Sequence, residues 1–164
     1  MRKTLAVALA LAVTTATGTA FAADGSVTGH FRAEGKDGTL SFVRAAKGKR
    51  PYSDDPAVYL AFTEKDASGA KDLKDDTIVF SHKYGTAITL DIFKNSDGKY
   101  EVDDSAFHHS GSEKAGGSAS GLLQIKDVSE AGGMISGEVY TNPGADLFGA
   151  KVEIDLKFKA PLPK

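Results

Sequence analysis

Neither cysteine nor tryptophan occurs in the 164 residues, and the missing cysteine removes several possibilities at once. There is no disulfide framework, no thiolate-held zinc or iron–sulfur centre, no cysteine nucleophile and no lipid-modified N-terminal cysteine. An excess of one charge is also lacking. The chain carries 20 Lys+Arg against 22 Asp+Glu, a net charge of −2, so no global field draws it to nucleic acid or to an anionic membrane. Any charged partner has to be read by a local patch. Beyond the N-terminus no segment approaches the roughly 20 apolar residues that a membrane-spanning helix needs.

What is present begins with an export signature. Arg2 and Lys3 precede an apolar and small-residue run from Leu5 to Val13, and Ala20-Phe21-Ala22 supplies the small-x-small pattern of a signal peptidase site. Thr14, Thr15, Thr17, Gly18 and Thr19 dilute the stretch, which favours a cleaved signal over a membrane span. The expected cut lies between Ala22 and Ala23, leaving residues 23–164 as a single domain with no transmembrane segment, periplasmic or secreted. Removing Arg2 and Lys3 makes that domain more acidic than the whole chain.

Within the domain, apolar and polar residues alternate. The clearest run sets Val152, Ile154, Leu156 and Phe158 against Lys151, Glu153, Asp155, Lys157 and Lys159, the period of a strand with one wet face. Similar alternation marks Val27 to Ala33, Val58 to Phe62 and Ile88 to Ile92. Turn residues separate the runs: Gly35 to Gly38, Asn95-Ser96-Asp97-Gly98, Glu130 to Gly133 and Asn142-Pro143-Gly144. Strands are expected near 26–33, 38–45, 57–64, 77–81, 86–93, 98–107, 121–128, 133–141 and 148–159. The pattern predicts an all-β, antiparallel β-sandwich of about eight or nine strands, with a closed β-barrel as the alternative. Lys65 to Asp76 reads as a solvated connection with one helical turn. Ser110 to Gly121, with four Ser and four Gly, reads as a mobile surface loop.

Several side-chain groupings bear on chemistry. His108-His109, with Asp104 nearby, has the imidazole and carboxylate donors that zinc, copper or nickel accept. Adjacent strand residues point to opposite faces, so both histidines reach one ion only where the chain leaves regular β geometry. His30 and His82 could complete such a site if the fold brings them close. Arg44, Lys47, Lys49 and Arg50 form a cationic cluster suited to a sulfated glycan, a phosphate or an acidic lipid, with Asp54 and Asp55 available to pair with part of it. Four cations without interleaved aromatics do not make a nucleic-acid site. Gly116 to Gly121 fails the G-x-S-x-G pattern, because Ser stands at 120. Asn95 to Gly98 with Asp103-Asp104 does not follow the spacing of an EF-hand loop. No cofactor is implied.

The segments Leu40 to Ala45, Val58 to Lys65, Ile135 to Val139 and Val152 to Phe158 resemble small exported bacterial β-domain proteins of uncharacterised function. That resemblance implies a periplasmic or secreted β-domain and transfers no catalytic residue. The leading expectation is an exported, non-catalytic domain with a binding or envelope-associated role and a protein or glycan partner. A metal-binding protein or metal-dependent hydrolase using His108, His109 and Asp104 is one alternative, and a lipocalin-like carrier of a small ligand is another.

Overall fold

The computed structural model describes residues 25–163; the expected export signal and its Ala22/Ala23 cleavage site lie outside the described residues. Eleven strands form two antiparallel sheets. The first strands, β1 (Ser26–Ala33) and β2 (Lys36–Gly38), are a hairpin. A five-stranded meander follows: β3 (Phe42–Lys49), β4 (Pro56–Thr63), β5 (Ala87–Lys94), β6 (Tyr100–His109) and β7 (Ser112–Ser118). The chain then returns through β8 (Leu123–Ala131), β9 (Met134–Thr141), β10 (Asp146–Leu147) and β11 (Ala150–Pro161). These complete a sheet ordered β2-β1-β11-β9-β8, with β10 paired to β11. We call this the return sheet and the other the meander sheet. The two are sandwich-like and do not close into a barrel.

The expected alternation on the last strand is observed: Val152, Ile154, Leu156, Phe158 and Ala160 are buried while their odd-numbered neighbours are exposed. Between the sheets they meet Phe31, Leu60, Phe62, Ile88, Leu90 and Phe107. Phe31 packs edge-to-face on Phe107 at 5.5 Å, and Phe62 on Phe158 at 5.4 Å, the preferred geometry of aromatic rings. Fully burying each large apolar side chain contributes about 1.5–3 kcal/mol, so this layer supplies the main driving force for folding. β1 lies very close to β11: at Gly29, with φ +115°, an added Cβ would stand 2.0 Å from the Asp155 carbonyl, so only glycine fits there.

Four expectations need correction. The run 77–81 is not a strand. Asp75–Ile78 forms a single helical turn, α1, that carries Ile78 and the following Val79 into a second apolar cluster with Ala61, Leu73, Tyr84, Ala87 and Ala106. A short apolar run is ambiguous between a strand and a buried helical segment, and here Asp75 and Asp76 occupy the first turn, where carboxylates favour a helix. Ser110 to Gly121 is largely β7, hydrogen-bonded to β6. Its small residues let β6 and β7 side chains approach closely, with Ala115 wholly buried. The strand expected at 38–45 begins at Phe42, because Glu34-Gly35 makes the preceding turn with both φ positive, at 51° and 76°, the signature of a tight hairpin turn. The strand count rises to eleven through the short β2 and β10 and through β7.

The 23-residue crossover from Glu64 to Thr86 lies on the outer face of the meander sheet and covers it. Among the described residues, none covers the outer face of the return sheet in this way.

Candidate functional site

On the exposed face of the return sheet, side chains stand in rows fixed by strand register. One row runs His30, Asp155, Tyr140, Gln124, and a second runs Lys157, Glu138, Lys126. Arg32 opposes Glu153 in a third. At Thr141 strand β9 leaves β11, and Asn142 to Ala145 loops outward before returning as β10. The Ile154 N–H that loses its ladder partner donates to Thr141 Oγ1 at 3.1 Å. A groove of about 560 Å³ results, lined by His30, Arg32, Tyr140, Asn142, Glu153 and Asp155 among others.

The cations of this groove are already neutralised. Arg32 Nε donates to Asp37 at 2.9 Å, with its Nη1 3.6 Å from Glu153. Lys126 meets Glu138 at 3.0 Å, and Lys151 meets Asp146 at 3.3 Å. His30 Nε2 lies 3.2 Å from Glu153 Oε1 without hydrogen-bond alignment. Lys126 also stands over the Tyr140 ring, 5.1 Å from its centroid. The result is an aromatic wall beside planar polar groups, with little net charge to attract an ion.

The four cations grouped in the sequence do not form one patch. Arg44 faces outward and donates through its guanidinium to the carbonyls of Ala67 and Ala70, fastening the crossover to the sheet. Lys47 lines a recess at one open end of the sandwich with Lys94, Tyr100 and Glu130, where the Tyr100 hydroxyl donates to Glu130. Lys49 pairs with Asp54 at 2.6 Å. Arg50 donates twice to Asp103, at 2.7 and 3.2 Å, and lies over the Phe93 ring at 3.7 Å.

Lys49, Arg50 and Asp104 do meet in one place, a recess of about 400 Å³ on the covered face that also holds Tyr59, Lys74, Asp75 and Asp91. Asp91 and Asp104 are directly opposed across β5 and β6, next to a bulge. Burial, and then the charges of Asp104 and Asp75, push the Asp91 carboxyl up to about 6. Sequence reading did not single out Asp91 as a site residue, and its signal was faint: it alternates with Ile88, Leu90 and Ile92 just as the polar Thr89 does.

The histidines expected as metal candidates point apart. His109 faces inward, 1% exposed, with its ring edge-on to Phe31 at 5.0 Å. His108 faces the other way and stacks on His82, with centroids 4.0 Å apart and planes at 16°. Imidazole lone pairs lie in the ring plane, so stacked rings do not aim their nitrogens at a common ion. Asp104 stands in the middle of β6 and accepts from Ser120 Oγ at 2.7 Å. Among the described residues no three His, Asp or Glu side chains are placed to hold a metal ion, and no helix among them is long and apolar enough to cross a membrane.

Comparison with protein-family models, with curated proteins and with solved structures finds no match to this chain.

Proposed function

We propose that this chain is an exported, non-catalytic binding domain whose ligand is a glycan held in the groove of the return sheet. The observation that carries this reading is the pairing of every lysine and arginine in the groove. A site for an anion keeps cations free, whereas this groove offers directional donors and acceptors, Arg32, Asn142, Glu153 and Asp155, beside the Tyr140 ring. Hydroxyl-rich sugars need that combination: many hydrogen bonds of both senses, and an aromatic surface for the C–H face. Export is supported by the N-terminal signature and by the resemblance to small exported β-domains. The filled interior between the sheets favours a surface groove over an internal ligand chamber.

Calorimetric titration of the purified protein against a panel of soluble oligosaccharides tests the reading. Saturable binding that Tyr140→Ala and Asp155→Ala each weaken tenfold or more, at unchanged melting temperature, is expected. Absence of saturable binding across the panel, or binding that neither substitution weakens, would overturn it.

A further inference from the structure

Three of the four histidines gather at one end of β6; β2, which faces His109 there, also holds Arg32 of the groove through Asp37. His109 is the tightest of them. Its Nδ1 accepts the Gly111 N–H at 3.1 Å, so the neutral ring carries its proton on Nε2. That Nε2 is buried without a hydrogen-bond partner and faces Gly38 of β2, where an added Cβ would stand 2.8 Å from it. Lys36, also of β2, donates its ammonium to the Gly111 carbonyl at 2.7 Å. One ring and one short turn therefore hold the β2 hairpin of the return sheet against the β6–β7 hairpin of the meander sheet.

We propose that this junction is an acid-operated latch: protonation of His109 releases β2 from the β6–β7 turn while the two sheets stay folded. A second proton on His109 has to take Nδ1, where it would oppose the Gly111 N–H, donor against donor. The resulting cation would sit 1% exposed against Phe31.

The charged and titratable groups around the junction do not offset this. The β1–β2 turn contributes Glu34, which accepts from Ser112 Oγ at 2.7 Å, and β2 contributes the Lys36 ammonium. The end of β4 contributes Glu64, whose Oε2 already accepts from the Thr86 N–H at 2.8 Å and from Ser110 Oγ at 3.1 Å. The Lys36 and His109 carbonyls favour a protonated His109, and the Glu64 charge favours protonation of both His109 and His108. Burial dominates for both rings of β6 and lowers their affinity for protons, with His82 and His109 lowering that of His108 further. A histidine whose folded pKa lies below its free value stabilises the fold above about pH 6.5, and that contribution is lost as the pH falls below it.

Amide hydrogen exchange of the whole protein at pH 7.5 and 5.0, corrected for intrinsic chemistry, tests the latch. Protection of Gly111, Ser112 and residues 36–38 should fall tenfold or more at pH 5.0, while Leu60 and Leu90 keep theirs. His109→Asn, which retains an acceptor near the Nδ1 position but does not titrate there, should remove most of the response. Equal protection at both pH values in the wild type would overturn the latch, as would a full response persisting in His109→Asn. If that variant does not fold, a wild-type His109 resonance that stays neutral through the transition would overturn it equally.

Discussion

The outer faces of the two sheets have opposite fates. On the meander sheet the crossover lays Leu73, Ile78, Val79 and Tyr84 onto small side chains of the strands, Ala61, Ala87 and Ala106, and makes a second apolar layer. On the return sheet the described residues leave the same kind of surface as a lattice of ion pairs, interrupted by the groove where β9 departs from β11. The difference comes from residue size and polarity at outward positions. Alanines leave room for a covering segment, whereas the lysines and glutamates of β9 and β11 do not. A covered face gains stability and buries some titratable groups; an open face keeps its polar atoms available to a ligand.

The largest expected effects test whether the covered face is a real second core. Ile78→Ala, at a wholly buried position, should cost about 2–5 kcal/mol, similar to Leu156→Ala in the main core. Denaturant midpoints of the two variants measure this, and a loss under about 0.5 kcal/mol for Ile78→Ala would mean that the crossover only rests on the sheet.

A smaller effect of opposite sign is expected at Asp91. Its folded carboxyl, pushed up to about 6 from an ordinary value of 3.8, contributes stability that is complete below pH 3.8 and is lost as the pH rises through 6. Asp91→Asn should therefore stabilise the protein at pH 7 by about 1–3 kcal/mol and leave it little changed near pH 4. Melting curves at the two pH values check the sign. A variant less stable at pH 7 would show that the ionised carboxylate is held by favourable partners.

The smallest effect belongs to the open face. Lys157 is exposed and meets Glu138 at 3.1 Å, a surface pair of the kind that contributes little. Lys157→Ala should change stability by less than about 0.5 kcal/mol, measured by the same denaturant midpoints; a loss comparable to that of Leu156→Ala would mean that β11 is buried on both faces.

Much of the sandwich was legible because strand alternation is a local property. Val152 to Phe158 announced both faces of β11, and β1 was read with its observed limits. What escaped depended on contacts distant in sequence. The run at 77–81 became a helical turn because its apolar residues had an outer sheet face to cover, and Gly116 and Gly117 became part of a strand because β6 was there to pair with them. The site was less legible still. Arg44, Lys47, Lys49 and Arg50 are neighbours in the chain, yet the strand period sends Arg44 and Lys47 to different surroundings and only Lys49 and Arg50 share a recess. The groove is built from His30, Tyr140, Asn142 and Asp155, which become neighbours only through the pairing of β1, β11 and β9. No spacing in the sequence marks them as a set.

The central claim is that ligand binding belongs to the open face. The most direct test is an amide chemical-shift titration of the purified protein with the oligosaccharide that binds best. The account predicts saturating shifts at Arg32, Tyr140, Asn142 and Asp155, with Tyr59, Asp91 and Asp104 unmoved. Shifts confined to the covered-face recess around Asp91 and Asp104, or no saturating shifts on either sheet, would contradict it.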